Sequence, residues 1–301
     1  MQMQTIWSDR GGVQAVAGDE LASLVAASRG GGAAVVDAAA SAWLVLRGGV
    51  GLRCREGSFE LVRGQWIVLD RDARPLLHAH PDGLVVGLAL PQRMHAAAPA
   101  DGALYPGLGT MAAGARAGAL RLWRRSGPFA RNGTRREDLE RLRIDPLLRL
   151  LAAQQAGLRE LVDRCPGRSL RRRRQVFARM QRAWLYLAGN LDRPVRVAEL
   201  AQLGSVSVWY FTKTFHAIYG EGPQAASTRL RLAHAADLLR ATRLSVSEAG
   251  AACGFENNCS FSRAFRARFG VPPSRYRLHG AAPPLADTPG IARQAPARRA
   301  P

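Results

Sequence analysis

The first residues that invite a chemical reading are His78-Ala79-His80. On a strand, alternate side chains share a face, so a His-x-His pair can offer two nitrogens to one metal ion. Such sites add a nearby carboxylate and a third histidine. Here Pro81-Asp82-Gly83 follows, no glutamate stands at the required distance, and His95 is the nearest later histidine. The pair therefore reads as strand-end or lumen histidines, and no metal or other cofactor is expected. The sequence holds no phosphate loop, nucleophile elbow or HExxH. Cys54, Cys165, Cys253 and Cys259 lie too far apart for CxxC pairs, which argues against a zinc ribbon or disulfide scaffold and for a reducing cytoplasm. No catalytic residue is assigned and no enzyme is expected. Trp43, Arg53, Trp66 and His78 make a candidate effector pocket, the competing reading being core tryptophans and a surface arginine.

Charge points to another class of partner. The 301 residues carry a formal charge of +20, and of 43 basic residues 42 are arginine and one is Lys213. A polyanion is the natural partner, nucleic acid first and an anionic membrane surface second. The excess is +4 over residues 1–134, +8 over 135–193, +6 over 194–279 and +2 over 280–301. The hydrophobic content of 47% is enough to bury real cores, and the length suggests two domains. The apolar run Ala33–Leu46 is broken by Asp37, so no membrane span is expected. The first ten residues lack a basic segment followed by an apolar core, so no signal peptide is expected either.

The elements that must position these groups are of two kinds. Trp43–Leu46, Val50–Arg55, Phe59–Val62, Trp66–Leu69 and Leu84–Leu90 are apolar or alternating runs separated by glycine-bearing turns. Short strands at about ten-residue spacing read as a sandwich or small barrel, with a lumen that holds a ligand or is filled by side chains. From Arg135 the period becomes helical, with Leu139, Leu142, Leu147, Leu150, Leu151, Leu158, Leu161 and Val162 at apolar positions. Pro146 either begins a helix or kinks one. The leucine stripe either packs on its own domain or pairs with a second copy. Four arginines, Arg171 to Arg174, stand just before an amphipathic stretch over 176–191. The tail from Gly280, rich in alanine, proline and arginine, reads as disordered.

Residues 197–219 read as helix, tight turn, helix. Val197, Leu200, Ala201 and Leu203 form a short apolar face, Gly204-Ser205-Val206 the turn, and Ser207 an N-cap. Phe211, Phe215 and Ile218 form the buried stripe of the second helix, with Val208, Trp209, Thr212 and Lys213 on other faces. The pattern recurs. Ser247–Ala252 is a short helix, Cys253-Gly254-Phe255 a turn, and residues 257–269 a helix with Phe261, Phe265 and Phe269 buried and Asn258, Cys259, Ser260 and Arg263 facing elsewhere. A long helix over 224–241, introduced by Pro223, joins the two. Each unit is a helix-turn-helix, whose second helix enters the DNA major groove. Two heads on one face of a duplex should sit about 34 Å apart.

These stretches resemble the DNA-binding domain of the AraC/XylS family of transcription regulators. The resemblance rests on VAELAQLGSVSVWYFTKTF (197–215), GPQAASTRLRLAHAADLLRAT (222–242) and SVSEAGAACGFENNCSFSRAFRARFGVPPSRYR (245–277). It implies base contacts at Trp209, Thr212 and Lys213 in the first reading helix and at Asn258, Cys259, Ser260 and Arg263 in the second. Arginine can bond guanine bidentately and asparagine adenine, while threonine and tryptophan offer apolar contact. Ser207, Asn257 and Arg266 are candidates for the DNA backbone. Three departures stand out. Ser205 occupies the first turn where the family usually has glycine, Ala249-Gly250 replaces a larger aliphatic residue and alanine, and Cys259 cannot make a bidentate contact. They imply an altered first turn, a less rigid second unit and weak readout at one base pair. The strand-rich part resembles the family's cupin-like sensor domain.

The expected fold is α+β in two domains. A cupin-like β-barrel or jelly roll spans 1–134, linker and dimerisation helices 135–175, the double helix-turn-helix 176–279 and a disordered tail 280–301. The expected function is a cytoplasmic, sequence-specific transcription regulator, an activator, that reads two consecutive major-groove segments of double-stranded DNA, acts as a homodimer, contacts RNA polymerase as the family implies, and senses a small-molecule effector or dimerises through its first domain. The alternatives are a cupin-type metalloenzyme with an appended DNA-binding domain and an architectural, charge-driven DNA binder.

Overall fold

The computed structural model describes residues 4–18, 22–96, 103–126 and 136–279. The chain divides into two compact units, Met1–Arg159 and Glu160–Pro301. The first is rich in sheet and the second is helical. The tail expected to be disordered lies outside the described residues.

The first unit contains β1 (Gln4–Ser8), β2 (Val13–Gly18), β3 (Ser23–Ser28), β4 (Gly32–Ala38), β5 (Ala40–Arg47), β6 (Gly49–Cys54), β7 (Gly57–Val62), β8 (Gln65–Asp70), β9 (Leu76–Ala79), β10 (Leu84–Leu90) and β11 (Gly107–Thr110). They form a six-stranded sheet, β1-β3-β10-β5-β8-β11, and a five-stranded sheet, β2-β4-β9-β6-β7. The pairs β1–β3 and β2–β4 are parallel and the others antiparallel. The smaller sheet alternates as one buried face demands. Leu52, Phe59, Leu61 and Leu77 are buried, while Arg53, Ser58 and His78 are exposed. In the larger sheet β3 is buried at every position and β10 from Val85 onward. The helix α1 (Gln92–Ala96) follows β10, and α2 (Ala113–Arg125) follows β11. Part of the cover of the larger sheet is α2, whose Trp123 donates its indole N–H to the carbonyl of Gly87 at 2.8 Å.

The helix α3 (Arg136–Ala153) continues past Pro146, which lies inside it, and α4 (Ala156–Asp163) spans the boundary between the units. The choice left open for the leucine stripe falls to the chain itself. Leu147, Leu151, Leu158, Leu161 and Val162 are all buried within it. At those positions the stripe packs as core. The side chains of Leu139 and Leu142 lie outside the described ones.

The second unit continues with α5 (Leu170–Gly189), α6 (Val197–Leu203), α7 (Val208–Tyr219), α8 (Pro223–Ala241), α9 (Val246–Ala252), α10 (Asn258–Phe269) and α11 (Pro273–His279). The helix α5 starts earlier than expected. Ser169 accepts from the amide of Arg172 and caps it, so Arg171–Arg174 form its first turns instead of preceding it. Proline opens both α8 and α11. Gly220 and Gly270 close α7 and α10 with φ of 75° and 77°. The unit is thus one motif built twice.

Candidate nucleic-acid interface

The second helix of each motif, α7 or α10, is seated by an aromatic stripe. In α7, Phe211, Phe215 and Ile218 are fully buried, and successive rings of Phe211, Phe215 and Tyr219 lie 5.5 and 4.4 Å apart. The Tyr219 hydroxyl donates to Gln181 of α5 at 2.8 Å, and burial holds that phenol well above its usual range. In α10, Phe261 and Phe265 are fully buried, Phe269 is partly so, and the ladder continues to Tyr276 of α11. Ring pairs at such distances contribute about 0.5–1.5 kcal/mol each beyond area burial. A helix held this way along one side cannot rotate freely, so its opposite face is presented at a set angle.

That opposite face carries the residues singled out above. Trp209, Thr212, Lys213, Asn258, Cys259, Ser260 and Arg263 are all exposed, as are Ser207, Asn257 and Arg266. Trp209 is 70% exposed, and Lys213 Nζ lies over its ring at 5.0 Å from the centroid. The two stand at i and i+4 on α7, which holds the lone lysine beside the indole. Thr212 donates its hydroxyl to the carbonyl of Val208 at 2.9 Å, which leaves its methyl group for apolar contact. On α10, Asn257 is the N-cap, its Oδ1 accepting from the amides of Cys259 and Ser260. Asn258 donates from Nδ2 to Ser247 at 2.9 Å, so one of its two amide protons is engaged inside the motif.

Ser207 caps α7 as expected, accepting from the amide of Tyr210. The turn before it keeps a left-handed residue. Ser205 takes φ of 50° itself, and Gly204 does not supply it. The expected change at Gly204-Ser205 is thus a strained serine in an ordinary turn position. At the second motif the turn is set by close approach. Gly254 has φ of 70°, and a Cβ there would stand 2.6 Å from the carbonyl oxygen of Asp192, in the segment between α5 and α6. Gly250 faces Phe261, whose ring would meet a Cβ at 2.9 Å, so in this chain the helical glycine admits that ring.

Arg231 of α8 is a residue that sequence reasoning missed. It is buried, donates to the carbonyl of Gly254 at 3.0 Å and stacks over Phe255 at 4.4 Å. Burial draws its pKa below the ordinary guanidinium value. It ties the connecting helix to the second turn. Sequence offers little signal for this, because arginine is almost never fully buried. At the other motif, Glu199 of α6 accepts from Arg193 at 2.9 Å and from the amide of Arg196, and these bonds lower its pKa.

The candidate effector pocket does not assemble. Trp43 pairs with Ile67 and Leu44 with Trp66 across β5 and β8, so the two tryptophans point to opposite faces of the larger sheet. Trp43 lies over Gly87 and Trp66 over Gly109 as core residues. Arg53 and His78 sit exposed on the other sheet. His80 pairs with Glu60 at 3.3 Å. Among the described residues, no group of three His, Cys, Asp or Glu side chains could hold a metal ion. Among them too, no helix is long and apolar enough to cross a membrane.

Residues 200–279 match a family model described as a helix-turn-helix domain. The HTH-type transcriptional regulator CdhR of Pseudomonas aeruginosa is 33% identical over 148 residues, covering 44% of each chain. The HTH-type transcriptional activator AarP of Providencia stuartii is 30% identical over 94 residues, which is 31% of this chain and 70% of that one. The chain belongs to the AraC family of helix-turn-helix transcriptional regulators. A solved structure of a probable AraC family transcriptional regulator from Rhodopseudomonas palustris CGA009 is 32% identical, covers 35% of this chain and 98% of that one, and has a TM-score of 0.32. The AraC-family chain described here spans under half the length of the first curated relatives it matches, 44% of CdhR and 26% of GbdR.

Proposed function

We propose that the chain is a sequence-specific transcription regulator that binds double-stranded DNA with α7 and α10 in two consecutive stretches of major groove, and that it activates transcription by contact with RNA polymerase. Base contacts come from Trp209, Thr212, Lys213, Asn258, Cys259, Ser260 and Arg263, with Ser207, Asn257 and Arg266 on phosphates. One observation carries the reading. Each reading helix buries one side in an aromatic stripe and leaves exposed the other, which holds hydrogen-bonding, aromatic and cationic groups. A structural surface would not need a 70% exposed tryptophan beside the lone lysine.

The strand-rich unit is a cupin-like domain that senses a small molecule or pairs with a second copy in a homodimer, working in the cytoplasm. The exposed apolar side chains of Trp7, Val13 and Val36 support pairing. Competition with random duplex tests the reading. Sites mapped by crosslinking in the cell should outcompete random DNA by about 10³ or more at physiological salt. A preference under about tenfold refutes it and marks an architectural, charge-driven binder.

A further inference from the structure

Along α5, Arg172, Gln175, Val176 and Arg179 recur at i, i+3, i+4 and i+7, one stripe of a helix. With Ser207 and Tyr210 they line a cleft of about 340 Å³ beside the start of α7. Arg172, Gln175, Arg179 and Ser207 are exposed, and among the described residues no carboxylate lines the cleft. The neighbouring Arg173 differs, since its Nη1 is paired with Asp163 at 3.0 Å. The arginine run is therefore divided, with one member neutralised and another turned to the cleft.

The start of α7 adds a second source of positive potential. Amides in the first turn of a helix lack intrahelical partners and carry the positive end of its dipole. Here the Ser207 hydroxyl oxygen takes the amide of Tyr210, and both residues of this first turn line the cleft. Two guanidinium groups above such a terminus match a tetrahedral oxyanion that can accept paired N–H bonds. The cleft opens beside the turn that precedes Trp209, so an anion held there lies at the rim of the groove that α7 would enter.

We propose that Arg172 and Arg179, with the first turn of α7, grip one backbone phosphate of the DNA duplex next to the base pairs met by Trp209. The proposal rests on the DNA-binding reading above. It gives the basic segment before the first motif a defined role in affinity and none in base choice.

The test is a salt titration of duplex binding by the full chain from about 50 to 200 mM, with R172Q and R179Q combined. Glutamine keeps part of each apolar stem and removes the charge. Losing one phosphate contact should lower the slope of log affinity against log salt by about 0.9. The wild-type to variant affinity ratio should then shrink by roughly 3.5-fold across that range. The ratio of specific to random-duplex affinity should stay unchanged, and the paired R172K and R179K variant should keep the wild-type slope. An R29A control, in the first unit, should leave it unchanged as well. A double glutamine variant with native helix content and an unaltered slope overturns the proposal. So does a loss confined to the specific site, which would assign the arginines to bases. If the wild type prefers no site, the regulator reading fails, while the slope on random duplex still tests the cleft.

Discussion

Removing Trp209 separates the reading face from the fold. Its side chain is 70% exposed and belongs to no aromatic stripe, so the Trp209→Ala change should leave the buried stripe of α7 intact. The loss in the free protein is its stacking with Lys213, worth about 0.5–1 kcal/mol at an exposed site. On DNA the account is different. A tryptophan carries about 150–250 Å² of buriable surface, and 70% of it is open in the free chain, roughly 100–180 Å². At about 25 cal/mol per Å² full burial would contribute about 2.5–4.5 kcal/mol. Ordering the side chain and freeing Lys213 from the indole reduce this, so about 2 kcal/mol should remain. The expected outcome is a roughly 30-fold weaker affinity for the specific duplex, with an unfolding free energy within about 1 kcal/mol of wild type. Fluorescence anisotropy on the mapped duplex and urea unfolding give the two numbers. An affinity change below about threefold refutes the placement of α7 in the groove. A stability loss above about 2 kcal/mol refutes the separation of face from fold.

Other outcomes follow from the same geometry. Arg263→Ala should cost about 1–3 kcal/mol on the specific duplex and relax preference at one base pair, and an equal loss on every sequence would reassign the side chain to phosphate. Ser205→Gly relieves a left-handed serine worth about 1–2 kcal/mol against about 0.5–1 kcal/mol of added chain entropy. It should stabilise by about 0.5 kcal/mol in urea unfolding, and destabilisation would contradict the strain. His234 is pushed below its ordinary value by burial, with Asp237 and Asp192 opposing the shift. The unfolded chain then takes up a proton near pH 6.5 that the native state refuses, so this contribution is whole above that pH and declines as pH falls below it. The urea midpoint should drop on going from pH 7 to 5, and His234→Gln should flatten that dependence; an identical drop in the variant would exclude His234 as its source.

The helical motifs were legible because each local signal agreed with the packing. Ser207, Pro223, Gly220 and the phenylalanines at four-residue spacing all point to the same boundaries. The strands β5 to β8 and β10 were legible where Trp, Val and Leu alternate between glycine turns. Other strands were not. β3 (SLVAAS) and β4 (GAAVVDA) are rich in residues with little β preference, and β3, buried on both faces, shows no alternation. The candidate pocket failed for a reason of register. Neighbouring strands set Trp43 against Ile67, and a shift of one position sends Trp66 to the other face. The role of Arg231 was hidden because its partners, Gly254 and Phe255, are brought to it by tertiary packing alone.

The meeting of Gly254 with Asp192 and Arg193 joins the second turn to the very segment that leads into the first motif. A polypeptide fastened there cannot lengthen its stride. On the proposed reading, the separation of the two readable DNA segments is a constant of the protein, and any misfit falls on the duplex as bending or twisting. Inserting half a helical turn between the segments would then remove one motif's contacts as a block, and the operator could drift in letters but not in spacing.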